Sequence, residues 1–205
     1  YWHSDEFQPF QVSDFDKLSR AIDRERGRKE EGGDTTYSFD IEPYPYQQAV
    51  LDALRTERLG KGRWYNLVVA ATGTGKTAIS AFDYRNFYQS RKGNAKLLFI
   101  AHREEILKQS ISCFRQVMKD PNFGQLAVGN YHAARSEHLF MSIQTFNSQK
   151  FWEKMDPFYY DMIIVDEFHH AAAKGYQKLL TWFHPKILLG LTATPERMDG
   201  KNILN

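Results

Sequence analysis

The sequence predicts an α/β fold: a doubly wound, mainly parallel sheet with helices on both faces. Three observations predict it. Apolar residues run continuously at 65–70, 96–101, 139–143, 162–165 and 187–191, as in strands buried on both faces; a half-exposed strand would alternate. Segments with helical spacing lie between these runs, which is the rhythm of strand–helix–strand units. Each run also leads into a polar string, in order "ATGTGKT", "AHREE", "QTF", "DEFHH" and "TATPER". These are the carboxyl ends of the expected strands, where such folds bind ligands.

Taken in order, residues 15–29 place Phe15, Leu18 and Ile22 at helical spacing and then pass into "EEGGDTT". The expected reading is a helix and linker over residues 1–36, attached to an upstream region, followed by one main domain over 37–205. Within "PYPYQQAVLDAL", Pro43 and Pro45 suit a turn that ends before the first domain helix. Helices are expected at 76–89, at 104–118 and at 176–183, the second carrying Ile106, Leu107, Ile111, Phe114, Val117 and Met118 on one side. Trp64, Tyr65 and Phe82 fall in core-like patterns, and no internal repeat is present.

A length of 205 residues with 42% hydrophobic residues supports one sizeable core. The apolar runs are far shorter than the roughly 20 residues of a membrane span, and the start lacks a signal-peptide pattern. A cytoplasmic, bacterial-type intracellular protein without a membrane partner is therefore expected. Cys113 is the single cysteine, which excludes an intramolecular disulfide and a cysteine-rich metal site. Its helical neighbours Ile111, Phe114 and Val117 suggest a buried position rather than a reactive thiol. Residues 1–43 hold 11 acids and 6 bases, against 14 and 21 in the remainder. The domain is thus basic, as a nucleic-acid binder or a solvated surface would be.

"AATGTGKT", residues 70–77, matches a phosphate loop except that Ala70 replaces the usual first glycine. Thr72, Gly73, Thr74 and Gly75 would curl the backbone so that its N–H groups face phosphate oxygens, aided by the positive end of the following helix. Lys76 would reach the β and γ phosphates, and Thr77 would place a hydroxyl on Mg²⁺. In "MIIVDEFHH", Asp166 ends a buried strand, where a phosphate-loop ATPase holds Mg²⁺, and Glu167 is placed to orient or deprotonate water. His169 and His170 are adjacent and so do not share a helix or strand face; hydrogen bonding within the nucleotide site suits them better than a metal site.

The strings "ATGTGKT", "IAHREEIL", "SIQTF", "VDEFHH" and "GLTATPER" together resemble motifs I, Ia, Ib, II and III of superfamily 2 DExH helicases. The match is to their first RecA-like domain, in the subgroup of type III restriction subunits and repair helicases, and it covers about residues 37–200. The resemblance implies a nucleic-acid-dependent ATPase, a helicase or translocase acting on DNA in preference to RNA, with ATP and Mg²⁺ as cofactors. It implies catalytic roles for Lys76, Asp166, Glu167 and His169, with Thr192 and Thr194 coupling hydrolysis to movement. Gln47 of "PYQQ" would read the adenine edge. His102 and Arg103, then Gln144 and Thr145, would hold the nucleic-acid backbone. Two departures stand out: Tyr44 sits where relatives often carry Arg, and Phe168 replaces the small residue of the commoner DEAH box. The resemblance also implies a second RecA-like domain outside these residues, so a fragment this long is expected to be weakly active. A switch or remodelling module without strand separation, and a phosphate-loop small-molecule kinase, remain the alternative readings.

Overall fold

A computed structural model of the chain describes residues 41–129, 137–170 and 173–194. The chain divides into the units Tyr1–Phe39 and Asp40–Asn205, and the described residues all lie in the second. The helix and linker expected before residue 37, and the end of "TATPER", lie outside them. No helix among the described residues is long and apolar enough to cross a membrane.

Six strands form one sheet: β1 (Tyr65–Val69), β2 (Leu97–Ala101), β3 (Gln125–Ala127), β4 (His138–Ser142), β5 (Met162–Val165) and β6 (Ile187–Thr192). They pair in the order β1-β6-β5-β2-β4-β3, and every pairing is parallel. The α-helices are α1 (Pro45–Arg55), α2 (Lys76–Ser90), α3 (Glu104–Met118), α4 (Ile143–Ser148) and α5 (Lys174–Trp182). Because successive strand residues face opposite sides, β2 sends Leu97, Phe99 and Ala101 into a core shared with α1, α2 and α3. Its Leu98 and Ile100 enter a second core beneath α4 and α5. That two-sided burial is what the unbroken apolar runs signify.

The structure departs from the sequence reading where tertiary context decides. Tyr65 is 59% exposed rather than in the core, because β1 is an edge strand whose first residue has a neighbour on one side only. Pro45 is the first residue of α1, not part of a preceding turn; a helix's first N–H has no partner within the helix, so proline is tolerated there. Strand β3 has three residues, too few to show a period. Ile143, expected to be the last residue of a strand, instead opens α4 together with Gln144 and Thr145 after it, because Ser142 caps that helix by accepting a 3.0 Å bond from the Thr145 N–H. Cys113 is partly buried on α3, and burial pushes its thiol up to about 11, far from the reactive range.

Helix α2 packs between α1 and α3 and is buried over much of its circumference, including Asp83. Its partner comes from a widened π turn, Thr56–Gly60, which extends α1 and brings Arg58 inward. The Arg58 guanidinium donates to both Asp83 oxygens at 2.7 and 2.8 Å and to Asn66 Oδ1 at 2.8 Å. This fork ties α1, α2 and β1 together with charge-assisted bonds. Asp83→Ala would leave a buried guanidinium without its carboxylate and should cost about 3–5 kcal/mol in urea unfolding. Replacing both partners, as Arg58→Met with Asp83→Leu, should recover most of that; a single-variant loss under about 1 kcal/mol would show that the pair is not a clamp.

Candidate active site

Parallel register brings the strand ends together. Val69 lies opposite Thr192 and Val165 opposite Gly190, while Ile100 lies opposite Val165 and Ala101 opposite Ser142. The residues that follow, from the phosphate loop after β1 to the turns after β5, β2 and β4, therefore emerge along one edge of the sheet. The pairing continues past the strands, since Ala70 N–H donates to Thr192 O at 3.0 Å and Asp166 N–H to Ile100 O at 2.9 Å.

The loop curls as its glycines allow. Gly75 has φ +73° as the N-cap of α2, and a Cβ there would lie 2.6 Å from Gln47 Nε2. Both its conformation and its close contact thus require glycine. Gln47 is buried against the loop, and its Oε1 accepts a 3.0 Å bond from Tyr44 N–H. Tyr46 O–H donates to Thr74 O at 3.0 Å, a contact from α1 to the loop that the sequence reading lacked. Tyr44, the residue in place of arginine, stacks nearly parallel to Tyr46 with ring centroids 6.0 Å apart. Lys76 Nζ spans the loop, donating to the carbonyls of Ala70 at 2.8 Å and Ala71 at 3.1 Å.

After β5 the chain turns sharply. Glu167 has φ +53°, a left-handed conformation that a side chain adopts at a cost of order 1–3 kcal/mol and that clusters at working sites. Asp166 is buried, and its Oδ1 accepts a 2.9 Å bond from Glu167 N–H. Burial pushes its carboxyl above the usual range; the Glu167 N–H bond and the Lys76 and His169 charges oppose this, while the Glu167 charge adds to it. His169 Nδ1 lies 3.2 Å from Glu167 Oε2 and 3.2 Å from Thr192 Oγ1. Thr192 Oγ1 in turn donates to Thr194 O at 2.9 Å and accepts from Thr194 N–H at 3.3 Å. These partners are all satisfied if Nδ1 carries the proton and donates to the carboxylate and the hydroxyl. Phe168 packs on β6, where a Cβ added at Gly190 would lie 2.6 Å from its ring. Its bulk is accommodated by a glycine across the sheet, a pairing that requires both positions to be known.

The third cluster sits beyond β2 and β4. Gln144 Nε2 lies 2.9 Å from His102 Nδ1, and both side chains are exposed. Arg103 is exposed at the N-cap of α3, with no side-chain partner among the described residues. Thr145 is buried, and its hydroxyl accepts a 2.8 Å bond from Ser142, so its side chain belongs to the helix cap. His170 packs against His169 and His102 rather than bonding within the nucleotide site.

Residues 40–197 match the family model described as Type III restriction enzyme, res subunit. The chain belongs to that family. It carries the family's ATPase domain, the first RecA-like domain of a superfamily 2 helicase. Over 174 residues it is 31% identical to "Putative ATP-dependent helicase IRC3" of Saccharomyces cerevisiae, covering 76% of this chain and 24% of that one. The helicase domain of Pyrococcus furiosus Hef superposes with a TM-score of 0.60 at 22% identity, covering 76% of this chain and 34% of that one. The Type ISP restriction-modification enzyme LlaGI gives 0.61 at 16% identity, over 79% and 18%. These two likenesses establish the fold. The chain spans about a quarter of the length of its yeast relatives, 24% and 28%. Since the family match takes in the acid box and β6 as well as the loop, a small-molecule kinase is not favoured.

Because Asp166 has a raised folded-state pKa, folding favours its protonated form. That contribution to stability is complete below the unfolded-state value and is lost as pH rises through the folded value. Asp166→Asn should therefore raise the thermal midpoint of the nucleotide-free domain at pH 7, with the gain shrinking as pH falls toward about 4. A gain that stays constant across that range would show that the carboxylate carries no burial penalty.

Proposed function

We propose that this domain binds Mg-ATP and hydrolyses it in response to nucleic acid, with DNA the preferred partner, as half of a two-domain motor. The observation that carries this is the strand-end geometry, in which Lys76 spans the glycine loop, Asp166 is buried at the end of β5 and His169 joins Glu167 to Thr192.

The residues fit the cofactor. Asp166 is a buried carboxylate that accepts from the Glu167 N–H and forms no ion pair among the described residues, and Thr77 in the first turn of α2 has no side-chain partner among them. One hydroxyl and one carboxylate suit Mg²⁺, which keeps waters and takes its other ligands from phosphate oxygens rather than from a protein cage. Bound there, the ion would neutralise charge on the β and γ phosphates. Lys76 would exchange the Ala70 and Ala71 carbonyls for phosphate oxygens, and Thr72 to Gly75 would supply backbone donors. Gln47 would offer its amide to adenine. Glu167, held by His169, would orient and deprotonate the attacking water. Thr192 and Thr194 would pass the state of that site onward through β6.

Nucleic acid would meet the exposed His102, Arg103 and Gln144 at the α3 and α4 end, with Thr145 contributing through its place in the α4 cap. Contacts of this kind hold phosphates without reading bases. The family's association with restriction, and the DNA substrate mimic in the LlaGI structure, favour DNA. An intracellular location fits such a substrate. A second RecA-like domain would close over the nucleotide and supply an arginine, an effect worth about 10³–10⁵ in rate in comparable enzymes.

In the full-length protein, single-stranded DNA, duplex DNA and RNA should be compared as stimulants of ATP hydrolysis. At least one DNA form is expected to raise the rate tenfold or more, on the order of a coupling of about 1.4 kcal/mol. Lys76→Ala should abolish nucleotide binding, whereas Glu167→Gln should retain it and lose turnover by at least about 10². A rate indifferent to every nucleic acid, or normal hydrolysis by Glu167→Gln, would overturn the reading.

A further inference from the structure

His170 ends the short 3-10 turn Phe168–His170 that follows the acid pair. Its ring centroid is 4.1 Å from that of His169 and 6.0 Å from that of His102, at interplanar angles of 42° and 34°. His102 is bound to Gln144 at 2.9 Å on one side of this row, and His169 is bound to Glu167 and Thr192 on the other. The row Gln144, His102, His170, His169 thus crosses the carboxyl ends of β4, β2 and β5 and meets β6. It joins the residues placed at nucleic acid to those placed at the reacting water, and His170 is its only member with contacts to both histidine neighbours.

We propose that His170 is the positioning residue that couples nucleotide occupancy to nucleic-acid affinity, by transmitting displacement of His169 to the His102–Gln144 pair through ring contact. The inference rests on the function proposed above. Rings held within 4.1 and 6.0 Å of one another restrict each other's movement, so a displacement at one end of the row is felt along it. His169 is the end of the row that nucleotide would displace, since its Nδ1 lies 3.2 Å from both Glu167 Oε2 and Thr192 Oγ1. His102 is the end that moves at nucleic acid, since it is exposed and its ring is hydrogen-bonded, among the described residues, to Gln144 alone. Burial, then the neighbouring His169 and His102, hold the His170 imidazole below its usual pKa. At neutral pH it is an uncharged packing surface and not a phosphate-binding cation. The contact is made by a ring, so the substitution that separates coupling from folding is aromatic.

The test uses full-length protein, a fluorescent non-hydrolysable ATP analogue and a single-stranded oligonucleotide, DNA or RNA, whichever wild type binds more tightly. Each ligand is titrated with and without saturating amounts of the other. Coupling is reciprocal and typically about 5–150-fold. Wild type is expected to show such mutual tightening. His170→Ala should bind each ligand alone within about twofold of wild type yet lose the tightening to below about twofold. His170→Phe should keep it. Retained coupling in His170→Ala, or lost coupling in His170→Phe, overturns the inference, as does a loss of affinity for one ligand alone, which would place His170 in that ligand's site. Wild type that binds both ligands without mutual effect also overturns it while leaving ATP binding intact. Wild type that fails to bind the analogue overturns the functional reading itself, so the two failures are distinguishable.

Discussion

The site depends on parallel pairing in one register. Strands β1, β6, β5, β2 and β4 run in the same direction and end nearly level, as the pairs Val69 with Thr192, Val165 with Gly190 and Ala101 with Ser142 show. Residues more than 100 positions apart in sequence, such as Lys76 and Thr192, thereby share one edge. A slip of one residue in β5 would turn Asp166 to the opposite face of the sheet, because side chains alternate with a period of two. The apolar residues that fix the register carry no chemistry themselves. Ile163 and Val165 fill one core and Met162 and Ile164 the other, so any slip would exchange their environments and disrupt both.

Around that frame, local conflicts are concentrated at the strand ends. Glu167 adopts a left-handed backbone, Asp166 holds a carboxylate in a buried position, and Gly75 and Gly190 are each approached so closely by a side chain that a methyl group would clash. Each is unfavourable or restrictive alone. They are tolerated because the rest of the domain over-determines them: Asp166 N–H is bound to Ile100 O, His169 bridges Glu167 and Thr192, and Phe168 occupies the space above Gly190. Strain held by surrounding structure in this way is the usual condition of a working site.

Much of this was legible in sequence, for physical reasons that can be stated. Buried strands must be apolar on both faces, so β2, β5 and β6 read directly from "LLFIA", "MIIV" and "ILLGLT". The phosphate loop was legible because glycine is required for a left-handed backbone before a helix. What remained hidden depends on partners distant in sequence. Nothing local marks Tyr65 as an edge residue, and nothing in "QTF" shows that the Thr145 hydroxyl is committed to Ser142. The Arg58–Asp83 clamp joins residues 25 positions apart, and Asp83 lies in a helix whose buried positions do not follow a single stripe. The fit of Phe168 over Gly190 and the ring row through His170 require the strand order before they can be seen at all.

The two ends of the domain are built differently, and the difference suits their proposed tasks. On the nucleotide side, Gln47 and Tyr46 of α1 touch the loop, Lys76 and Thr77 begin α2, and the buried Arg58–Asp83 fork holds the two helices together. A charged fork inside a packed core does not deform gradually, so the groups facing base and phosphates should move as one body. From Asp166 onward the connections are short turns, 3.2 Å contacts from the His169 imidazole to Glu167 and Thr192, and ring contacts 4.1 and 6.0 Å between centroids. Such links can change by small rotations without breaking a core. A motor needs both properties, a rigid grip that registers whether nucleotide is present and a compliant edge that passes this on. In this chain the boundary between them falls at the carboxyl end of β5, between Val165, which is wholly buried, and His170, which is not.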